Sequence, residues 1–296
     1  MSRKMPALDD IYGPVRDCVD FKAKTPATKR LVVLALGFSL AFSLVLLGGI
    51  AGPVDAQSSA QRLPDLRMAS FQDLKIREYA DGRRLLRFTA IIVNVGAGPF
   101  EVHGQRPNTG TSTMAVTQRI YNDAGGYRDV PTPATMFFSG DGHDHWHVKH
   151  LQRYTLRRLY GWESGPVRVG AKDGFCFYDV YLWNGILRGA PESKEYRENS
   201  SCGEAEEQEA LQVEMGLSVG WSDVYTYMLP LQYIDITGLP SGRYRLYAIA
   251  DAREEFRESR EANNYTWFDI ELKGNKVRVL KDGPSAPYCG RTGRYC

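Results

Sequence analysis

Alternation of polar and apolar residues is the dominant pattern after residue 60. The stretch GRYRLYAIAD, residues 242–251, places four apolar side chains on one face of an extended strand. NYTWFDIEL (264–272) behaves similarly, and the stretch 83–104 is rich in β-branched and aromatic residues and ends in a Gly-Pro turn region. Many short strands separated by turns predict a mainly β protein, an antiparallel β-sandwich with an Ig-like core and long loops. The four side chains are those of Tyr244, Leu246, Ala248 and Ala250.

Long amphipathic helices are absent from the pattern of residues after position 60. One segment has helical composition, SCGEAEEQEALQVEMG at 201–216, but it is short and highly charged. We predict a surface loop or a brief helix there.

An uncharged apolar run, LVVLALGFSLAFSLVLLGGIA, occupies residues 31–51 and would span about 30 Å as a helix. Basic residues precede it and Asp55 follows it, which keeps the N-terminus cytoplasmic and exports the rest. The run is either a signal peptide, cleaved after Ala56, or a retained membrane anchor, so the protein is secreted or anchored outside the cytoplasm. The predicted organisation is a cytoplasmic segment 1–30, a signal or anchor 31–52, a linker 53–62, a main domain 63–275 and a C-terminal tail 276–296.

Charge and cysteine content narrow the possible partners and the compartment. Basic residues (37) nearly balance acidic ones (35), and no basic block occurs, which excludes nucleic acid as an expected partner. Cys18 precedes the apolar run, and the exported part holds an even number of cysteines without a CxxC spacing, which favours disulfides over a zinc knuckle. Local pairing, Cys176 with Cys202 and Cys289 with Cys296, is the expected one of three possible connectivities.

Four of the five histidines fall within DGHDHWHVKH, residues 141–150. His143, His145 and His147 alternate, so they cannot share a helical face but form one row on a strand, about 6.6 Å apart at Cα. Glycines at 140 and 142 allow the strand to bend, so that the three side chains reach a common ion. His150 lies at an odd offset and is expected at the surface or beside the site.

Three imidazoles without a thiolate suit Cu(II) or Zn(II), and spacing alone does not choose between them. A set of three protein ligands leaves a position open for water or substrate, as in catalytic metal sites. A solvated polar face that happens to use histidine is the alternative. Zinc-dependent hydrolysis is a further one, for which Asp144, Glu101 and Asp179 are the candidate bases.

Several blocks resemble the lysyl oxidase family in order along the chain. GHDHWH is similar to the family's copper-binding stretch, and GFCFYD (174–179), SCG (201–203), GLSVGWSDVYTYMLPLQYIDITGLPSGRY (216–244) and ESREANN (258–264) follow. The resemblance covers roughly residues 63–275. An ordered set of this kind is far more specific than the histidines alone.

The resemblance implies a copper-dependent oxidoreductase that converts primary amines, either peptidyl lysine side chains or small amines, to aldehydes with O2. His143, His145 and His147 would hold the copper. The family's quinone cofactor is built from one lysine and one tyrosine of the chain, but the matched positions hold Pro240 and Leu272, so the quinone cannot form there. No catalytic residue is assigned. Three tyrosines in the most similar block are interpreted as core aromatics: Tyr225, Tyr227 and Tyr233.

The resemblance also implies a calcium site between the start and the end of the domain. Its oxygen ligands suit Ca²⁺. Arg260 stands where the family has an acidic ligand, which lowers the expected affinity. A polar turn that satisfies its own backbone is the alternative. The implied ligands are the Asp65 carboxylate, the Leu66 carbonyl, Glu258, Asn263 and Asn264.

Two functions from different classes follow from these observations. The first is an extracytoplasmic copper amine oxidase. The second is a non-catalytic copper-binding or adhesion module on the same fold, which Pro240 and Leu272 favour.

Overall fold

The computed structural model describes residues 60–140, 144–160, 163–198, 200, 202 and 207–296, with only the backbone at 160 and 163–167. The predictions for residues 1–59, the apolar run and Cys18 among them, lie outside the described residues, and so does His143. No helix within the described part is long and apolar enough to cross a bilayer.

Within these residues the chain forms eighteen β-strands and no α-helix, and paired strands are antiparallel throughout. The prediction of a mainly β, antiparallel protein is therefore confirmed. The strands are β1 (Gln61–Arg62), β2 (Leu66–Met68), β3 (Gln72–Glu78), β4 (Arg84–Asn94), β5 (Phe100–Gln105), β6 (Thr113–Asn122), β7 (Tyr127–Ser139), β8 (His145–Lys149), β9 (Gln152–Tyr160), β10 (Glu163–Val169), β11 (Gly174–Phe175), β12 (Tyr181–Leu182), β13 (Gln212–Leu217), β14 (Trp221–Tyr225), β15 (Tyr233–Asp235), β16 (Gly242–Ala250), β17 (Tyr265–Lys273) and β18 (Lys276–Asp282).

The strands form three sheets. The first has the order β11-β8-β7-β6-β5-β13, with β1 on β6, and it contains the histidine strand. The second has the order β10-β9-β16-β17-β18. The third has β12-β14-β4-β15, with β2 and β3 also paired to β4.

Burial explains why the strands read as they do in the sequence. On β16 the four side chains predicted to share one face are all buried, whereas the intervening residues are not. On β4 nearly every residue is buried, so this strand reads as a continuous apolar run without alternation. One contiguous core joins all three sheets, and Phe88 lies in it edge-on to Phe71 and Tyr154.

The last five residues of the charged segment 201–216 differ from the prediction of a loop or brief helix. Residues Gln212–Leu217 form β13, which pairs with β5 at the edge of the first sheet, rather than a loop or a helix. Val213, Met215 and Leu217 are buried and Glu214 between them is exposed. The acidic composition masked this alternation of period two.

Two disulfides connect the described cysteines, Cys176 with Cys202 and Cys289 with Cys296. The segment 276–296, expected to be a tail, begins as β18 at the edge of the second sheet. Its remainder is tied to the core through the backbone: Ala286 N–H donates to the Met68 carbonyl at 3.0 Å, and Cys289 N–H donates to the Trp183 carbonyl at 3.0 Å.

Candidate metal centre

The histidine stretch lies on β8, between β7 and β11. His147 is opposite Phe137 of β7, and His145 is opposite Ser139. Trp146 and Val148 are fully buried, as the alternation requires if they point to the core. His145 and His147 therefore share the other face of the strand, in the register that the spacing predicts.

The two described imidazoles are close neighbours. Their ring centroids are 4.8 Å apart and the ring planes are inclined at 68°. His147 is 1% exposed and lies edge-on to Phe137 at 5.8 Å, whereas His145 is half-buried. The third member of the row, His143, lies outside the described residues.

Residues near the row take other positions. Asp144, just before β8, is exposed and has a positive φ of 37°. His150 follows the strand in a turn, with φ of 64°, and its Nε2 lies 3.4 Å from the Asp173 carboxylate. His150 is therefore outside the row, as its odd offset predicts.

The local fold around β8 depends on a close approach of β11. A Cβ on Gly174 would collide with the Phe137 ring and would lie 2.8 Å from the Cβ of His147. Only glycine allows β11 to pack so tightly against the histidine face.

The other side of β8 is held by the disulfide loop. Trp146 N–H donates to the Cys202 carbonyl at 2.9 Å, and the Trp146 indole N–H donates to the Glu207 carbonyl at 3.0 Å. The Arg106 guanidinium stacks on the same indole, 4.8 Å from its centroid. These contacts fix the core side of the strand and hence the direction of the imidazoles.

A groove of about 580 Å³ opens beside His147. Phe137 and Leu231 supply apolar wall, Lys149 lies on the histidine face, and Asp173 is the one acidic residue among the described residues that line it. The groove offers room for an alkyl amine next to the His147 imidazole. Its hydroxyl groups belong to Thr113, Thr135 and Ser139.

The donor chemistry of this face fits a transition metal. Two imidazoles at this separation, with no free cysteine among the described residues, suit Cu(II) or Zn(II) and do not suit Mg²⁺ or Ca²⁺. The edge contact with Phe137 and the buried position of His147 keep one donor fixed before any ion arrives.

The positions matched to the family's quinone do not fit that cofactor. Gly242, two residues after Pro240, pairs with Leu272, so the two positions are near each other, and Leu272 is 2% exposed. A proline has no primary amine and a leucine has no ring to oxidise. Both positions also lie past the Tyr244–Arg158 pair, near the C-terminal end of β9. The turn that follows β8 leads into the other end of that strand.

The three tyrosines of the similar block have separate surroundings. Tyr225 is buried in the core with its ring 4.9 Å from that of Phe175. The Lys75 ammonium lies 3.4 Å above the Tyr227 ring. Tyr233 is half-buried on β15.

A buried polar group beside Tyr225 was not foreseen from the sequence. Asp223 and Lys172 are both almost fully buried, and the Lys172 ammonium is 5.5 Å from the Tyr225 ring centroid. Burial raises the pKa of Asp223 to about 7, although hydrogen bonds from Tyr225 and from Val224 N–H and the charge of Lys172 oppose the rise. The only sequence signal was an aspartate inside a strand whose other residues are aromatic or apolar, apart from Ser222.

The residues predicted to bind calcium come together. Leu66 N–H donates to a carboxylate oxygen of Glu258, and Asn264 Nδ2 donates to the other oxygen at 2.7 Å. Asn263 Nδ2 donates to Asp65 at 2.8 Å. Hydrogen bonds thus occupy these side chains in the described arrangement.

Two further carboxylates complete this acidic cluster, and sequence reasoning missed both. Oxygens of Asp251, Glu258 and Glu261 lie within 4.8 Å of one another. Burial, with the neighbouring carboxylates, raises the pKa of Glu258 to about 9 and that of Asp251 to about 6. Three carboxyl groups so close together favour either protons or a bound cation. Arg260 is exposed.

The other two candidate bases for hydrolysis lie elsewhere. Glu101 on β5 accepts hydrogen bonds from His103 at 2.6 Å and from Tyr121 at 2.7 Å. Burial raises the pKa of Glu101, but its hydrogen bonds outweigh this and the net shift is downward. Asp179 is buried and accepts hydrogen bonds from Ser218. Neither lines the groove beside His147.

Comparison with known proteins identifies the family of the chain. A sequence profile of the lysyl oxidase family matches residues 131–281, just over half of the chain, and this range includes β8 and β11. The chain is 27% identical over 199 residues to lysyl oxidase homolog 3A of Danio rerio. The matched region covers 67% of this chain and 21% of that protein. It is 26% identical over 196 residues to lysyl oxidase homolog 4 of Homo sapiens (66% and 20%) and 28% identical over 195 residues to lysyl oxidase homolog 2 of Xenopus tropicalis (66% and 19%).

These matches extend over only about a fifth of each relative's length. Within this chain they cover two thirds of the residues. The chain belongs to the lysyl oxidase family.

Proposed function

We propose that this protein is an extracytoplasmic copper-binding oxidoreductase that converts primary amines to aldehydes with O2. The observation that carries the proposal is the pair of imidazoles, His145 and His147, 4.8 Å apart on one face of β8, with His147 lining a groove. His143 would be the third ligand. Cu(II) bound there would supply one-electron redox chemistry.

The groove residues account for binding of an amine. The Asp173 carboxylate attracts an alkylammonium ion, while Phe137 and Leu231 cover its carbon chain. Lys149, on the histidine face, repels a second positive charge and so disfavours substrates with clustered cations. Peptidyl lysine side chains and small monoamines are therefore the proposed substrates.

Pro240 and Leu272 favour a second candidate, a non-catalytic copper-binding or adhesion module on the same fold. Neither Pro240 nor Leu272 can contribute to a quinone, so amine oxidation requires a redox group formed by other residues.

Calcium and location complete the proposal. Ca²⁺ would replace hydrogen bonds among Asp65, Glu258, Asn263 and Asn264, with the Leu66 carbonyl as a further ligand, and Asp251 and Glu261 would add charge. The two disulfides are consistent with an oxidising compartment. We also propose that the domain has an Ig-like core and that a helix over residues 31–51 exports or anchors the chain.

The two candidates separate in one experiment. The chain is purified from copper-supplemented medium and its copper content measured. It is then treated with a hydrazine reagent that forms coloured adducts with carbonyl cofactors, and peroxide is measured after addition of a primary amine. A matched sample carries His145→Ala and His147→Ala.

Bound copper, a stoichiometric adduct and amine-dependent peroxide, all lost in the double variant, support the oxidoreductase. Copper that depends on the two histidines, without adduct or peroxide, supports the binding module. Absence of copper from the wild type, or copper that is unchanged in the double variant, overturns the oxidoreductase and the copper-binding module and leaves only an adhesion module.

A further inference from the structure

The outer face of the second sheet carries an unusual set of basic and aromatic side chains. Strand register places them in rows across β9, β16 and β17: Arg153 beside Ile249 and Tyr265, Thr155 beside Tyr247 and Trp267, and Arg157 beside Arg245 and Asp269. The opposite side of these strands is the core, with Tyr154, Leu156 and Leu246 buried. This outer surface is called the arginine–tyrosine face below.

A groove of about 350 Å³ runs between β9 and β16 on this face. Three arginines and Tyr247 line it, and no carboxylate is found among the described residues of its wall. Arg153 and Arg157 are exposed, and they are four residues apart on one strand, which separates them by about 13 Å. The two cations thus stand at opposite ends of a groove with an aromatic ring between them. Their wall partners are Arg245, Thr155, Ile249 and Ala252.

The charges of the face are not balanced. Asp269 is paired with Arg245 through two hydrogen bonds of 2.7 and 2.9 Å. Within the described residues, neither Arg153 nor Arg157 forms an ion pair. Lys281 adds a further cation beside Asp269. The face therefore has a net positive charge although the whole chain carries only +2.

Three aromatic residues lie on neighbouring positions of this face. Tyr247 stacks on Tyr265 with centroids 5.5 Å apart and planes inclined at 21°. The Arg245 guanidinium lies 3.9 Å from the centroid of the neighbouring Trp267 ring. All three aromatic side chains are only half-buried, so they keep accessible edges or faces. Aromatic rings of this kind contact apolar surface at one end and water at the other.

We propose that the arginine–tyrosine face binds an acidic polysaccharide. Guanidinium groups form paired hydrogen bonds with carboxylate and sulfate groups, and the C–H faces of sugar rings pack on tyrosine. A linear polymer with regularly spaced acidic groups matches two arginines spaced along one strand with a ring between them. The extracytoplasmic location in the proposed function, with which the disulfides are consistent, favours extracellular polymers over nucleic acid.

This binding site is separate from the candidate metal centre, because its residues belong to β9, β16 and β17 and none lines the groove beside His147. The inference therefore holds or fails independently of amine oxidation. It assigns the protein a means of staying near a charged polymer of the cell surface or matrix.

The test measures binding of the whole chain to heparin and to polygalacturonate at several salt concentrations, with dextran as the neutral polymer and single-stranded DNA as the competing polyanion. The variant is Arg153→Gln with Arg157→Gln. The matched control is Arg128→Gln with Arg188→Gln, which removes the same charge from exposed positions outside the second sheet. Unfolding temperatures of both variants verify that the fold is kept.

We expect the Arg153→Gln, Arg157→Gln variant to bind both acidic polysaccharides about ten- to thirtyfold more weakly. Its plot of log Kd against log salt concentration is expected to be shallower by about one to two units. A Tyr247→Leu variant should weaken polysaccharide binding by about threefold or more without changing that slope. The control should bind like the wild type.

Three results overturn the proposal. Equal losses in the variant and the control indicate non-specific charge. Tighter binding to DNA than to either polysaccharide identifies a different class of ligand. Failure of the wild type to bind either polymer at low salt removes the site.

Discussion

His147 is buried and His145, two residues before it on the same face of β8, is half-buried, although their rings are 4.8 Å apart. The two proposed donors therefore differ in how much they contribute to packing of the sheet. His147 packs on Phe137 and next to Gly174, so it supports the sheet as well as the proposed ion. His145 lies closer to solvent.

Replacing each histidine with alanine should distinguish metal binding from packing. We expect both His145→Ala and His147→Ala to lose copper. In the metal-free state, His147→Ala should lower the free energy of unfolding by about 1–3 kcal/mol because it leaves a cavity, whereas His145→Ala should change it by less than about 0.5 kcal/mol. Metal content by elemental analysis and denaturant unfolding of the metal-free proteins check this. Equal destabilisation by the two changes would contradict the assigned burial.

Gly174→Ala should damage the metal site without touching a donor. The added Cβ meets the Phe137 ring and the His147 Cβ, so His147 must shift. Displacing a fixed donor typically costs about 10- to 100-fold in metal affinity. The control is Gly126→Ala in the exposed turn between β6 and β7, where the nearest atom to an added Cβ is Nδ2 at the end of the Asn122 side chain, 3.1 Å away. Competition titration with a copper chelator measures both, and an unchanged affinity in Gly174→Ala would show that the donor is not held by this contact.

The Cys176–Cys202 bond should matter to the metal site more than the Cys289–Cys296 bond. Cys202 supplies the carbonyl that accepts the Trp146 N–H, and Trp146 lies between the two histidines. Loop lengths alone predict losses of stability of about 3.5 kcal/mol for the separation of 26 residues and about 2.4 kcal/mol for that of 7. We expect Cys176→Ala with Cys202→Ala to weaken copper binding, and Cys289→Ala with Cys296→Ala to leave it unchanged. Chelator competition and thermal unfolding on each pair decide the point.

Arg260→Asp should strengthen the proposed calcium site. It removes a positive charge and adds an oxygen ligand near Glu258 and Glu261, so the calcium dissociation constant should fall by about tenfold or more. Lys276→Asp makes the same charge change at an exposed position beyond the far end of β17 and is the control. Calorimetric titration measures both. Equal tightening in both variants would mean that overall charge, rather than a ligand at 260, is responsible.

The sequence pattern predicted which side chains share a strand face where polar and apolar residues alternate along that strand. The faces of β16 follow directly, because the two sides of that strand differ in solvent exposure. On β8 the alternation of side chains still places Trp146 and Val148 opposite the histidines, although His147 is buried as well. The pattern did not predict contacts between charged residues that lie far apart in the sequence. Lys172 and Asp223 are about fifty positions apart, and Asp251 joins Glu258 through a turn that no periodicity marks. The strand at Gln212–Leu217 was missed because its exposed acidic residues outweighed three alternating apolar ones.

Asp223 should make stability fall as pH rises, in contrast to most paired carboxylates. Its folded pKa is raised by burial to about 7, above the unfolded value of about 3.9. The folded state therefore keeps the proton that the unfolded state has released. The stabilising contribution is complete below about pH 4 and is lost as pH rises to about 7, by an amount on the order of 4 kcal/mol.

Asp223→Asn should remove that dependence, so its free energy of unfolding relative to wild type should rise between pH 4 and pH 7. The comparison variant is Asp129→Asn. Hydrogen bonding to Arg119 lowers the pKa of Asp129, so this carboxylate contributes stability above its unfolded pKa and loses it as pH falls. The two variants should shift the pH profile in opposite directions when unfolding is measured in denaturant at several pH values. Parallel profiles for wild type and Asp223→Asn would mean that the Lys172 ammonium keeps Asp223 ionised in the core.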